Sequence, residues 1–104
     1  MASPKPPRRE RRATSREALK EAERRRKLFQ SAAGGSPAFP LAVASASVIE
    51  ARAQAMPCAV CHGAYRVISH TATTQAGKRL RLVLLHCQGC GERSQVYFEI
   101  LMPN

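Results

Sequence analysis

Two short motifs, Cys58-Ala-Val-Cys61 and Cys87-Gln-Gly-Cys90, hold all four cysteines of this 104-residue chain. In each motif two residues separate the thiols, so one tight turn can present both sulfurs to a single metal ion. The 25 residues from His62 to His86 are enough for a β-hairpin that returns the second pair to the first. The pattern therefore predicts one closed site with four cysteine ligands, which would hold one structural Zn²⁺.

A glycine follows each cysteine pair. Gly63 stands two places after Cys61, and Gly91 directly follows Cys90. Turns that direct backbone N–H groups toward metal-bound sulfur often need a positive φ, which glycine adopts without a clash at Cβ. We therefore predict that both glycines belong to the metal-binding turns, or knuckles.

Other uses of the cysteines compete with a metal site. Two disulfides would need an oxidising compartment, and a disulfide inside a CxxC motif is usually a strained redox bond. Residues 58–62 also match the C-x-x-C-H pattern of covalent haem attachment. Haem would leave Cys87 and Cys90 without a role, and the residues after His62 favour strands over the helices that enclose a macrocycle. A thioredoxin-like motif expects a single CxxC at the start of a helix. Zinc accounts for all four cysteines.

Three β-strands are predicted around the two motifs. Residues 65–74 are rich in β-branched side chains, residues 75–78 form a turn with Gly77 at its third place, and residues 79–87 are strongly apolar. Residues 94–101 form the third strand. We therefore predict a small metal-stabilised β fold, a three-stranded antiparallel zinc ribbon, whose core is too small to fold readily without a structural metal.

Alternation along the strands predicts which side chains share a face of the sheet. One face should carry the apolar positions Leu80, Leu82, Leu84, Val96, Phe98 and Ile100. Arg79 and Arg81 then point the other way, and Tyr97 joins them if those apolar positions are buried together. Two guanidinium groups beside an aromatic ring can hold a phosphate and stack a base, so these three residues are candidate contacts for single-stranded nucleic acid. A solvated outer face of a small sheet would carry the same residues.

The chain before the first motif divides into further segments. Residues 1–13 are rich in Pro and Arg without a large apolar side chain, and we predict a disordered basic tail there. Residues 14–33 are predicted to form a charged helix with Thr14 as N-cap. A linker follows at 34–47, and the zinc-ribbon domain spans 48–104.

The start of the ribbon domain, residues 48–56, fits two structures. Ser47 could cap a short helix that ends before Pro57, and the Ala, Glu, Arg and Gln residues of this stretch favour a helix. The same stretch alternates small apolar with polar residues at period two, as an edge strand would. We favour the edge strand.

Positive charge is concentrated at the N-terminus. The chain has a formal net charge of +10, and residues 1–27 hold 11 Lys and Arg against 4 Glu. Candidate phosphate contacts in the tail are Arg8, Arg9, Arg11 and Arg12. The first functional hypothesis is a module that binds DNA or RNA, or a protein of the transcription machinery, with its basic tail. The alternative is a protein-interaction or structural adaptor without a nucleic-acid role, in which the tail is only a tether.

The two cysteine motifs and their glycines, on either side of a predicted hairpin, resemble the zinc-ribbon family, whose knuckles are similar to those of rubredoxin and of transcription-factor ribbons. The resemblance covers about residues 56–101 and implies the fold and the metal. Ribbons that assist RNA cleavage carry an Asp-Glu pair at the hairpin tip, whereas residues 75–78 here are Gln-Ala-Gly-Lys. A Cys₄ site also leaves no open coordination position. We therefore predict a non-catalytic protein without a small-molecule substrate.

Two locations are considered. Residues 25–29, Arg-Arg-Lys-Leu-Phe, resemble a twin-arginine signal, and residues 53–55 match an A-x-A cleavage pattern that would end an export signal at Ala55. If the chain is exported, covalent haem and disulfides again become alternatives to zinc for the cysteines. The segment between the two patterns contains two Gly and two Pro, so we favour an Ala-rich linker in a cytoplasmic protein. No stretch is long and apolar enough to span a membrane.

Overall fold

The structure, a computed structural model, describes residues 8–75 and 77–101, with side chains from Ser15 onward. Its elements, in chain order, are helix α1 (Arg8–Ser31), strand β1 (Leu41–Val43), a 3₁₀ turn (Ala46–Val48), helix α2 (Ile49–Gln54), and strands β2 (Tyr65–Gln75), β3 (Lys78–Cys87) and β4 (Arg93–Ile100).

Four strands form one mixed sheet in the order β1-β4-β3-β2. Strands β2, β3 and β4 are antiparallel neighbours, whereas β1 pairs parallel with β4. The prediction of a three-stranded antiparallel ribbon is therefore wrong by one strand. The additional strand lies in the predicted linker 34–47: Leu41 pairs with Phe98, and Val43 enters the core. Three residues are too few for a recognisable alternation, so the sequence pattern did not indicate this strand.

Residues 49–54 are helical, so the favoured edge strand over 48–56 is wrong. Ile49 and Ala53 are both fully buried, and a spacing of four residues places them on one face of a helix. In a strand they would share a face with Ala51 and Ala55, which are exposed here. The small side chains of this stretch fit either period, and packing against the sheet selects the helical one.

The β2–β3 hairpin forms where the sequence predicted it. Gln75 pairs with Lys78, and Gly77 has the positive φ of 76° that such a short connection needs. A bulge between Val67 and Ser69 interrupts the pairing once.

The buried face of the sheet differs from the predicted one. Val83 pairs with Val96, and Arg81 pairs with Phe98. The core face therefore carries the odd positions of β3 with the even positions of β4, and its fully buried members are Val83, Leu85, Cys87, Val96 and Phe98. The predicted joint burial of Leu80, Leu82 and Leu84 with the even positions of β4 is wrong. Both parities of β3 are apolar, so alternation alone did not identify the core face.

Helix α1 begins at Arg8, within the predicted disordered tail 1–13; the first seven residues of that tail lie outside the described residues. Thr14, the predicted N-cap, lies inside the helix. Glu21 accepts hydrogen bonds from the side chains of Arg24, at 2.7 Å, and Arg25, at 3.2 Å. In the part of the chain that the structure describes, no helix is long and apolar enough to cross a membrane.

The end of α1 lies at the margin of the sheet, where residues of the core and of the opposite, outer face both line a cleft. Phe29 touches the core cluster there, but Leu28 is 62% exposed. A cleft of about 790 Å³ is lined by Phe29 of the helix and by Leu84 and Tyr97 of the outer face. Apolar contacts between helix and sheet are thus incomplete.

Truncation of the central core side chain tests this packing. Phe98→Ala should lower the free energy of unfolding by about 3–5 kcal/mol, because a fully buried ring is replaced by a cavity. The matched control is Leu101→Ala, at a position that is 55% exposed, with an expected change below about 0.5 kcal/mol. Denaturant titration of the metal-loaded full chain measures both, and equal effects would contradict the assigned core face.

Candidate metal centre

The two cysteine motifs meet at one end of the sheet. The sulfurs of Cys58, Cys61, Cys87 and Cys90 all lie within 4.8 Å of one another. Cys58 Sγ is 3.7 Å from Cys90 Sγ, and Cys61 Sγ is 3.4 Å from Cys87 Sγ. The structure thus brings together all four residues that the sequence selected as ligands.

These distances fit a metal site better than two disulfides. A disulfide has an S–S length of about 2.05 Å. A tetrahedron with Zn–S distances of about 2.3 Å has sulfur–sulfur edges of about 3.8 Å, close to both separations. The first cysteine of each pair is buried and the second is exposed, so the cluster lies at the boundary between the core and the solvent.

Backbone N–H groups point at the sulfurs from both knuckles. In the first knuckle, Val60 N–H donates to Cys58 Sγ at 3.4 Å, and Gly63 N–H donates to Cys61 Sγ at 3.3 Å. In the second, Cys87 Sγ accepts from the N–H groups of Gly89, at 3.3 Å, and Cys90, at 3.4 Å. Such donors stabilise thiolates and orient them as metal ligands.

The two knuckles are equivalent loops of six residues. Cys58 N–H donates to the carbonyl of Gly63 at 2.9 Å, and Cys87 N–H donates to the carbonyl of Glu92 at 2.8 Å. The residue after the second cysteine has a positive φ in each loop: 64° at His62 and 81° at Gly91. We expected Gly63 to have this conformation in the first knuckle, and that is wrong, because His62 has it.

Gly63 is needed for a different reason. A Cβ at this position would lie 3.1 Å from Cys61 Sγ and 3.2 Å from Cys87 Sγ, which is closer than ordinary packing allows. A side chain at Gly63 would therefore push on two of the four sulfurs.

The thiols differ in their tendency to ionise. The pKa of Cys87 is lowered to about 6, first because the backbone N–H of Cys90 donates to its sulfur. The pKa of Cys90 is raised to about 12: the backbone N–H of Glu92 acts to lower it, but desolvation and the neighbouring thiols outweigh that effect. An ionised Cys87 thus opposes ionisation of Cys90, and a bound cation would offset that repulsion.

Tyr65 supports the first knuckle from within the core. Its ring is buried, and its hydroxyl accepts a hydrogen bond from the backbone N–H of Ala59 at 2.9 Å. The same hydroxyl lies 2.8 Å from Ser94 Oγ on β4. Tyr65 pairs with Cys87 in the sheet, so this side chain connects both knuckles to the core. Its role was not visible in the sequence, because it depends on contacts between distant segments.

Two arginines of α1 also reach the knuckles, one to each. Arg25 Nη1 donates to the carbonyl of Val60 at 2.5 Å, and Arg26 Nε forms an ion pair with the carboxylate of Glu92. The sequence pattern placed both arginines in an export-signal motif and paired Arg25 with Glu21 along the helix, but it indicated neither contact with the knuckles.

The predicted nucleic-acid cluster on the sheet is not assembled. Arg81 lies opposite Phe98 on the core side of the sheet, whereas Tyr97 lies opposite Leu82 on the outer side. Tyr97 is also only 8% exposed, so its ring is not available for stacking. The shared face of Arg79, Arg81 and Tyr97 is therefore a wrong prediction. The other candidates, Arg8, Arg9, Arg11 and Arg12, lie in the first turns of α1, with side chains outside the described ones.

Comparison of the chain with protein-family models, with curated proteins and with solved structures found no match. The likeness to zinc ribbons therefore rests on the paired cysteine motifs and on the geometry of the two knuckles, within a sheet that has one strand more than the resemblance implied.

Two glycine substitutions separate crowding at the sulfurs from a general loss of flexibility. Gly63→Ala should weaken metal binding at least tenfold, because its Cβ would press on Cys61 Sγ and Cys87 Sγ. Gly89→Ala is the matched control in the other knuckle: its Cβ would stand 3.6 and 3.7 Å from the same two sulfurs, in ordinary contact. Competition with a chelator of known affinity measures both variants. Equal affinities would show that the sulfurs are not packed around Gly63 as described.

Proposed function

We propose that the protein is a non-catalytic module that one structural Zn²⁺ holds together, and that its basic N-terminal segment contacts nucleic acid. The observation that carries the zinc part is the closed cluster of four sulfurs, three of which accept backbone hydrogen bonds from the two knuckles.

Zinc is the metal that this donor set favours. Soft thiolate ligands select zinc, copper(I) or iron–sulfur chemistry, and a tetrahedral Cys₄ set is typical of structural zinc. Four protein ligands leave no coordination position for a reacting water, which supports a structural role. When bound, the ion offsets the mutual repulsion of the thiolates and contributes its binding free energy to folding.

Metal content and ligand replacement test the zinc part. The purified full chain should contain one zinc per molecule by elemental analysis. Cys90→Ser should lose that zinc and unfold the sheet, although its exposed side chain leaves no cavity behind. His62→Gly is the control beside a ligand: it should keep the zinc, because glycine adopts the φ of 64° more easily than histidine. A wild-type chain without metal, or with one iron per chain, would contradict the proposal.

Charge on α1 supports the nucleic-acid part. Arg16, Lys20 and Lys27 are exposed, and their spacing of four and seven residues places them on one side of the helix. Glu23 shares that side, but residues 1–27 together keep a net charge of +7. An exposed basic helix can contact phosphates without reading sequence. Since Tyr97 is buried away from Arg81, the N-terminal segment is the better candidate for this contact.

Charge neutralisation at two places distinguishes nucleic-acid binding by the tail from binding by the sheet. Replacing Arg8, Arg9, Arg11 and Arg12 with Gln should weaken binding to single-stranded RNA or DNA, and should lower the slope of log affinity against log salt by about 3. The comparison variant Arg79→Ala, Arg81→Ala should bind nearly as wild type does. Fluorescence anisotropy at several salt concentrations measures both, with zinc content as the control for folding. An unchanged slope in the tail variant would contradict the proposed contact.

A protein-interaction adaptor is the second candidate, and one observation favours it. Strand β2 lies at an edge of the sheet, with Ile68 at its bulge 53% exposed. Edge strands can accept a strand from a partner protein. Absence of salt-dependent nucleic-acid binding by the wild-type chain would favour this candidate.

A cytoplasmic location is part of the proposal. Cleavage after Ala55 would remove β1 and α2, and with them the core residues Val43, Ile49 and Ala53. The loss of these buried contacts argues against the export signal considered above.

A further inference from the structure

We propose that Arg25 and Arg26 are positioning residues of the metal centre: each holds one knuckle against α1, so that docking of the helix slows metal release. This inference rests on the proposed metal site and is independent of nucleic-acid binding.

The first contact depends on a closed first knuckle. Val60 lies between the two cysteines of its motif, and its N–H donates to Cys58 Sγ. The position of the Val60 carbonyl, which accepts from Arg25, therefore follows from the turn around the sulfurs. Glu21 accepts from the same guanidinium at 3.2 Å, which orients Arg25 from within the helix.

The second contact depends on a closed second knuckle. The backbone carbonyl of Glu92 accepts from Cys87 N–H, so that hydrogen bond sets where the Glu92 side chain begins. Only 16% of the Glu92 side chain is exposed, whereas 45% of the Arg26 side chain is exposed. The Glu92 carboxylate, which pairs with Arg26, raises the pKa of that guanidinium. The knuckle therefore presents a shielded carboxylate to a cation on the helix.

The negative charge of the metal centre favours both arginine contacts. Four thiolates around Zn²⁺ carry a net charge of −2, and the two guanidiniums approach from the helix side. Guanidinium groups suit this place because they remain charged and donate in fixed directions. A cleft of about 790 Å³ between Phe29 and the outer face of the sheet leaves the apolar contact of α1 incomplete, and the polar contacts supplement it.

Linkage makes the effect reciprocal. If the arginines contact knuckles that only the bound metal keeps closed, metal binding stabilises helix docking, and helix docking stabilises the bound metal by the same factor. Loss of both arginines should then speed metal release and loosen α1, even while the metal is still bound.

The test uses the zinc-loaded full chain and an excess of a chromogenic chelator. Arg25→Ala, Arg26→Ala should release zinc about tenfold faster than wild type. Arg16→Ala, Lys20→Ala removes the same charge from exposed positions of the same helix and should stay within about twofold of wild type. Hydrogen exchange of the loaded proteins should be faster at the amides of residues 21–31 only in the first variant. Equal release rates for the two double variants would overturn the inference.

A charge exchange between residues 26 and 92 distinguishes loss of the ion pair from misfolding of a variant. Arg26→Glu and Glu92→Arg should each speed zinc release, and the combined exchange should restore the rate to within about threefold of wild type. A purely structural effect of either residue would not be rescued by the exchange, and lack of rescue would overturn the role of the ion pair. A wild-type chain without metal would overturn both this inference and the proposed function, whereas a metal-loaded chain with unchanged release in the arginine variants would overturn this inference alone.

Discussion

Closure of two backbone turns around four sulfurs is the constraint on which the rest of this fold depends. The second turn is also the connection between β3 and β4, because Cys87 N–H bonds to the carbonyl of Glu92 and His86 pairs with Arg93 directly beyond it. That turn thereby sets the register of the two strands. A shift of one residue would exchange the two faces of the sheet, so the geometry that presents the sulfurs also decides which side chains form the core.

The first turn connects the same centre to the other elements. Pro57 bridges to Ala64 across this knuckle, and Tyr65 then begins β2 opposite Cys87. The hydroxyl of Tyr65 contacts both the knuckle and β4, while α2 covers the core face with Ile49 and Ala53. The buried apolar set is small, as expected for so short a chain. Closure of the sulfur cluster and packing of the core are therefore two parts of one cooperative structure.

The charged helix α1 is attached to the cysteine cluster by direct contacts and is therefore more than a flexible tether. Its arginines contact both knuckles near its end, while residues 15–20 are exposed. A module of this kind can hold a basic surface in a defined direction, which a disordered tail cannot. The predicted cluster on the sheet contributes little to such a surface, since Arg81 and the buried Tyr97 lie on opposite faces.

The cluster of four cysteines, the hairpin and its turn could be predicted from the sequence alone, because these depend on local spacing and on residues such as Gly77 with a special backbone conformation. The sequence did not determine the fourth strand, the helix at Ile49–Gln54 or the core face. Each of these was ambiguous locally: Leu41–Val43 is too short for a pattern, residues 49–54 fit two periods, and both faces of β3 are apolar. Only contacts between distant segments resolved them, because burial of Val43, Ile49 and Phe98 in one core requires all three choices together. The arginine contacts with the knuckles belong to the same class, since no spacing along the chain indicates which carbonyl or carboxylate a helix will meet.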